Sequence, residues 1–373
     1  MPDLGVRLQL LIGPTVPLPA PFAVVDALRE IEVVNTDEGR DGFEMKFAVG
    51  RSSQMNYGLL ADGTLDPPNR VIVMVIVNAL PQVLIDGIIT QHEMVPSNEP
   101  RRSILDVKGE DIGARLGLEE KKKTYANQKD SDIVTTILQA YATYGLRPDV
   151  KQTDDTPSES ERKPAQHGTD LEYVEELARK NGFVFYVEPT DIPGFTTAHW
   201  GPDKRQGPSQ PALTMNMGPL TNVDQPINFR FDALGPAAPQ LSIIEPTTKR
   251  AIFVPLPASL NPNLSSKAAT ALRKTQSSST ANLSLSDAIL RALSASMGSA
   301  DAVVASGAVD AVRYGRVLRA RRPVDVRGAG RSYDGTYYVQ RVTHRIQRGR
   351  YTQSFTLKRE GLGATSNTVA VGK

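Results

Sequence analysis

The sequence is poor in most of what chemistry draws on. Its 373 residues include no cysteine, which excludes disulfide staples, thiolate zinc sites and a cysteine nucleophile. Four histidines and one tryptophan leave few positions for a general base, an imidazole metal site or a sugar-stacking platform. No charge sign dominates. Lys+Arg is 43 and Asp+Glu is 41, a formal net charge of +2. Nucleic-acid specificity is therefore not expected, because phosphate neutralisation needs a basic surplus on one face. Long apolar runs are missing too. The longest, Val71–Val77, covers only about a third of a membrane span, so no stable membrane insertion is expected. The start has no basic n-region, and Leu8–Ile12 is too short for a signal-peptide core, so the expectation is a soluble chain made in the cytoplasm.

What is present is strand and turn. Gly and Pro number 29 and 27, which suits a β-rich chain with many connections and length for two or more domains. Residues 1–112 read as β. Phe22–Val25 and Ile31–Val34 are short strand candidates. Gly42–Val49 alternates, with Phe43, Met45, Phe47 and Val49 on one face and Glu44 and Lys46 on the other. Val71–Val77 is mostly β-branched and continuously apolar, so both its faces should be covered, by barrel core and by an oligomer contact. Val83–Thr90 is a strand whose internal Gly87 suggests a bulge or bend. Ser103–Lys108 alternates again.

Residues 113–190 change period and form an α+β connector. Lys121–Lys123 reads as a solvated loop. Asp132 opens a helix with Ile133, Val134, Ile137, Leu138 and Tyr141 on one stripe, ended by Gly145. Asp154–Pro164 is a polar loop. Thr169–Glu172 is a capping box ahead of Leu171, Val174, Leu177 and Ala178, with Asn181-Gly182 as a left-handed stop and a strand at Phe183–Val187. Residues 191–260 and 311–360 are β again, with Asp334-Gly335 as a hairpin turn and Tyr351, Gln353, Phe355 and Leu357 on one face. Residues 261–310 read as an Ala/Ser-rich helical insert, with a helix capped by Ser286. Residues 361–373 read as a flexible tail. The fold class is α+β, mostly β.

Two segments echo each other. Gly87–Thr90 leads to Leu105–Glu110, and Gln340–Thr343 leads to Phe355–Glu360; each pair is an apolar-Thr strand end followed by apolar-polar-apolar-Lys-x-Glu. A true duplication gives one chain two copies of a β-unit, so that three chains present six copies and can dock on a six-fold ring.

Three stretches then resemble the tail-hub family of contractile phages and injection machines, which includes the phage late control protein D group and the hub part of the type VI spike protein VgrG. They are Ile85-Asp86-Gly87-Ile88-Ile89-Thr90 with Val107–Asp111, the helix-strand unit Asp170–Tyr186, and the end segment Asp334–Ile346 with Gly349-Arg350-Tyr351 and Phe355-Thr356-Leu357. They occur in the family's order and span most of the chain. The resemblance implies two tube-like β-barrels per chain, the first over 1–112 and the second over 191–260 with 311–360. It implies a homotrimeric, non-enzymatic baseplate hub between a six-fold inner tube and a three-fold spike. The expected partners are an inner-tube or tube-initiator ring, other baseplate proteins and a separate spike protein, since the chain stops just after the last hub strand. Assembly in the bacterial cytoplasm and residence in a phage tail or injection particle follow from the same resemblance.

No catalytic, cofactor-binding or metal-ligating residue is expected. His344 in its strand reads as structural, His92 sits in the comparable place of the first copy, His167 belongs to a loop beside the Thr169 cap, and His199-Trp200 reads as a loop with a packing or interface aromatic. No two histidines have HxxxH spacing. Gly328-Ala329-Gly330 lacks a third glycine and a following helix, so it reads as a turn and not a nucleotide loop. Asp154, Asp155, Glu159 and Glu161 lie in a loop without the rigid placement that paired catalytic carboxylates need. Arg313, Arg316, Arg319, Arg321 and Arg322 are ion-pair partners, or line a channel or a contact with an acidic ring. The rivals are a tail-associated cell-wall hydrolase, with no acid/base constellation and no lysozyme-like insert to support it, and a carbohydrate-binding β-protein, with one Trp to offer.

Overall fold

The computed structural model describes residues 5–50, 57–99, 102–153, 164–244, 251–255, 262–276 and 300–365. The chain is mostly β. The first segment holds β1 (Arg7–Gly13), β2 (Leu18–Pro19), α1 (Phe22–Ala27), β3 (Leu28–Thr36), β4 (Gly42–Val49), α2 (Gly58–Ala61), β5 (Arg70–Val77), β6 (Leu80–Val95) and β7 (Ser103–Asp111). The connector holds β8 (Glu120–Thr124), α3 (Asp130–Gln139), β9 (Leu146–Val150), β10 (Ala165–Thr169), α4 (Asp170–Asn181), β11 (Val184–Pro189) and β12 (Thr196–Gly201). The last segment holds β13 (Gln210–Thr214), β14 (Asn228–Phe231), β15 (Ala237–Ile244), β16 (Ala251–Pro255), β17 (Ser265–Ala268), β18 (Arg273–Gln276), β19 (Val303–Asp310), α5 (Ala311–Tyr314), β20 (Pro323–Arg327), β21 (Gly335–Gln347), β22 (Arg350–Arg359) and β23 (Gly361–Ala364).

One sheet runs through both β segments. Its order is β14-β19-β22-β21-β3-β4-β7-β6-β5-β1-β2, with β20 and β13 attached beside the first half of β21. The hydrophobic alternation sets the register. β4 buries Phe43, Met45, Phe47 and Val49, and β22 buries Tyr351, Gln353, Phe355 and Leu357, so a slip of one residue in either would turn the core face to water. One core cluster, around Met45 and Val107, belongs mostly to the first segment but takes in Ala311, Val317, Ile346 and Tyr351 of the last; a second, around Val339 and Leu357, lies in the last segment, and the connector packs a third around Trp200 and Val174.

The connector follows the sequence signals closely. Thr169 Oγ1 accepts from the Glu172 amide at 3.2 Å and Glu172 Oε2 accepts from the Thr169 amide at 2.8 Å, so the capping box opens α4 as its spacing predicts. Gly182, at φ 67°, ends it. Trp200 is fully buried and donates Nε1–H to the Val174 carbonyl at 3.1 Å.

Several expectations are corrected. Phe22–Val25 is not a strand but part of α1; only Val24 of this helix is buried, and Pro21 precedes its first turn. Lys121–Lys123 lies in β8, paired with β10; Lys122 and Lys123 stay exposed, while Lys121 is half-buried and lies 2.7 Å from Asp170. His199-Trp200 lies in β12 and not a loop. The turn before β21 spans residues 328–334, so Asp334-Gly335 ends it and does not form it. Gly87 is no bulge. The extra residues lie nearby, at Leu84 against β5 and Thr90 against β7. A Cβ at Gly87 would run into the Glu110 carbonyl and the Phe43 ring, and one at Gly109 into the Ile88 carbonyl and the same ring, so both glycines make room for Phe43. The second face of Val71–Val77 is covered from within the chain: Ile72 and Met74 pack with Val83 and Leu11. In the expected helical insert, Ser265–Ala268 and Arg273–Gln276 are strands; the helix at Ser286 lies outside the described residues, as do Asp154–Glu161. The tail does not begin at Gly361, since β23 pairs with β17.

Candidate assembly interface

Two four-stranded units can be read off the sheet. β3-β4-β7-β6 and β14-β19-β22-β21 are both antiparallel, and in each the last strand is long. β6 has β7 along one edge and β5 along the other as far as Ile88. β21 has β22 along one edge and β20 along the other as far as Tyr338. Each long strand carries one extra residue against its hairpin partner: Thr90 in β6 and Gln340 in β21. A bulge sharpens the local twist, so each strand serves two sheet directions. Aligned at these bulges, the two units are out of step with the sequence echo, which matched Thr90 to Thr343.

The edge of β21 beyond its bulge is filled from the first unit. β3 pairs with it from Arg341↔Thr36 to Gln347↔Glu30. On the polar face of this joint Arg345 Nε lies 2.9 Å from Glu30 and Nη2 3.5 Å from Glu32. On the core face His344 is buried. Its Nδ1 lies 2.8 Å from the Tyr351 hydroxyl and 3.1 Å from Gln353 Nε2, and its Nε2 lies 3.0 Å from Asn35 Oδ1. Burial, helped by the Arg319 charge, pushes the imidazole down to about 3, so it is neutral at ordinary pH.

Behind the joint a polar chain continues into the connector. Asn35 Nδ2 donates to Asp41 Oδ2 at 2.9 Å. Arg321 grips Asp41 through Nη2–Oδ1 at 2.7 Å and Nη1–Oδ2 at 3.1 Å, donates to the Thr36 carbonyl, and lies 4.5 Å over the Tyr186 ring. Asp111 is close by and fully buried. Desolvation first, and then the Asp41 charge, push its carboxyl up to about 7, while its Oδ1 accepts from the Gly113 amide at 2.8 Å. Arg70 and Asp86 form a second buried pair at 2.6 Å, and Arg70 also donates to the Gly194 carbonyl of the connector. Buried ions held this way cost much to break and fix the parts in one arrangement.

The arginine cluster divides. Arg319 donates to the Val83 carbonyl and Gln82, Arg321 holds Asp41, and Arg322 lies 2.9 Å from Glu188, while Arg313 and Arg316 are exposed. His199 is buried between Asp149 and the Pro202 carbonyl, His167 is exposed on β10, and His92 is exposed on β6 at 3.7 Å from Asp66. His92 therefore does not share the surroundings of His344. No cluster of His, Asp and Glu among the described residues is placed to hold a metal ion, and no described helix is long and apolar enough to cross a membrane.

Of the strand edges left, β2 and β13 among them, two belong to the four-stranded units. Among the described residues, β6 from Thr90 to Val95 has a strand on its β7 side alone, and β14 has one on its β19 side alone. Val95 on β6 and Phe231 on β14 are exposed. This feature was hidden in the sequence, because an unpaired edge has the composition of a paired one.

The chain has the fold of phage tail and type VI secretion proteins. It matches a tail protein from Neisseria meningitidis MC58 (12% identity, TM-score 0.60, 96% of this chain and 98% of that one). It matches the 43 kDa tail protein of prophage MuSo2 from Shewanella oneidensis (12%, 0.61, 95% and 99%). It also matches the E. coli c3393 protein, described as a component of the type VI secretion system similar to T4 bacteriophage tail proteins gp27 and gp5 (13%, 0.54, 93% and 77%). A family model described as the Alg8 N-terminal domain matches residues 44–197. No curated protein sequence matches the chain.

Proposed function

We propose that this protein is the structural hub of a contractile tail or injection machine, a homotrimer that adapts a six-fold inner tube to a three-fold spike. The observation that carries this reading is the sheet itself. β14-β19-β22-β21 is joined to β3-β4-β7-β6 inside the chain; β14 ends the sheet, and β6, paired with β5 as far as Ile88, has an open edge from Thr90 to Val95. Alternating antiparallel pairing makes β6 run with β21 and β14 run with β3. An open β6 therefore offers the next copy's β14 the same geometry that β21 offers β3. Such a contact is heterologous, and heterologous contacts that close make rings. Three chains then bring six similar units around the axis, two curled β-barrels from each.

The neighbours in this reading are a tube or tube-initiator ring on one side, a separate spike protein on the other, and further baseplate proteins around them. Assembly would take place in the bacterial cytoplasm, before the hub takes its place in a phage tail or an injection particle. The role is mechanical and not catalytic. His344, Asp41 and Arg321, the most chemically suggestive buried groups, are committed to each other and to packing. Strands closed into a ring leave no edge to slip, which suits a part that must keep its shape while a sheath contracts around it.

The test is mass and symmetry. Light scattering on the purified chain should give three copies per particle, and class-averaged electron micrographs should show a ring with three-fold symmetry. A strict monomer at high concentration, or a two-fold dimer, would overturn the proposal.

A further inference from the structure

The internal joint also specifies how the open edges should meet, residue by residue. Aligning the two units at their bulges, Thr90 with Gln340, makes Glu93 the counterpart of Thr343. Pairing runs from Gly109 to Phe43 to Val33 in the first unit and from Leu357 to Ala305 to Phe229 in the second. Arg230 is thus the counterpart of Val34. Thr343 lies directly opposite Val34 in the internal joint. We infer that Glu93 of one copy lies directly opposite Arg230 of the next, as an ion pair that selects head-to-tail closure. This rests on the hub reading and adds its register and its selectivity.

Three observations agree with this assignment. Both side chains are exposed, and among the described residues neither has an ion-pair partner. Within its own chain Glu93 lies directly opposite Asp106, a like charge, while the nearby Lys108 is 3.5 Å from Asp106 and 3.5 Å from Glu44. The charges also segregate by unit on this polar face. The first unit presents Glu30, Glu32, Glu44, Glu93, Asp106 and Glu110 against Lys46 and Lys108, and the second presents Arg230, Arg341, Arg345, Arg350 and Lys358 against Asp310. The internal joint already matches base on β21 to acid on β3, through Arg345. The open joint matches acid on β6 to base on β14. Two copies meeting β6 to β6, or β14 to β14, would instead bring Glu93 near Glu93 or Arg230 near Arg230 along these short open stretches. That repulsion disfavours the two-fold dimer that open edges otherwise invite.

Charge reversal tests the pair. Glu93→Arg and Arg230→Glu should each lower the concentration stability of the trimer by on the order of tenfold, and the double reversal should restore it, read by light scattering on dilution. Register is tested separately. The chain has no native cysteine, so Val95→Cys with Asn228→Cys, directly opposite in the inferred joint, should oxidise to a ladder ending at three linked chains, while Val95→Cys with Arg230→Cys should not. A wild-type monomer overturns the hub reading itself. A wild-type trimer indifferent to both reversals, or one linked equally by both cysteine pairs, leaves the hub standing and overturns this joint.

Discussion

His344 and Asp111 illustrate what burial does to single residues here. Both are buried and both favour the neutral form in the folded chain, His344 above about pH 3 and Asp111 below about pH 7, but their effects on stability run in opposite directions with pH. The unfolded chain protonates His344 below its ordinary value of 6.5 and the folded chain resists until about 3, so that term of stability is lost as pH falls through this window. Asp111 is the reverse. The unfolded chain releases its proton above 3.8 and the folded chain holds it to about 7, so its term is lost as pH rises through that window. Between pH 4 and 6.5 the two largely offset. Asp111→Asn keeps an oxygen for the Gly113 amide and removes one side of the balance. It should be more stable than wild type by about 2–4 kcal/mol at pH 7.5, with the difference vanishing toward pH 4, as read from urea midpoints. None of this was legible in the residue names. The sequence placed His344 in a strand and gave no sign of Asp41 and Arg319 gathering around it and its neighbours.

At the scale of elements, legibility followed locality. The capping box, the Gly182 stop and the alternation of β4 and β22 depend on residues within a few positions of each other, and they appear where the spacing puts them. α1 and β12 were misread because their conformations are decided by what they pack against: Val24 enters the first core, and Trp200 reaches across to α4. Gly87 and Gly109 were legible as glycines but not as a pair. Only when β6 and β7 lie side by side does Phe43 cover both. Gly109→Ala should therefore destabilise the chain by about 2–3 kcal/mol or more, since the new methyl meets backbone that cannot move aside. Chemical denaturation checks this, and a cost under about 0.5 kcal/mol would refute the close approach.

For the molecule as a whole, the question is what holds two β-units and a connector as one body. The Asp41–Arg321 pair reaches from a turn of the first unit to the second unit and the Tyr186 ring, and both partners are almost wholly buried. Asp41→Ala leaves a guanidinium without its anion and should cost about 3–5 kcal/mol, whereas Asp41→Leu with Arg321→Met should cost much less. Scanning calorimetry measures both, and equal losses would mean that packing and not charge pairing ties the parts.

The sequence by itself determined the class of the protein: mostly β, without cysteine chemistry, with a capped helix-strand connector and a resemblance to tail hubs borne out as a shared fold. It also held the charges of the open edges, without saying that they were edges. Only the tertiary structure decided which strands are neighbours, where the two units repeat, and which strands are left without a partner. Strand order joins residues hundreds of positions apart, as Arg345 and Glu32 are joined, and no local pattern encodes such pairings. They arise because each strand must satisfy its backbone hydrogen bonds while turning its apolar face to a common core.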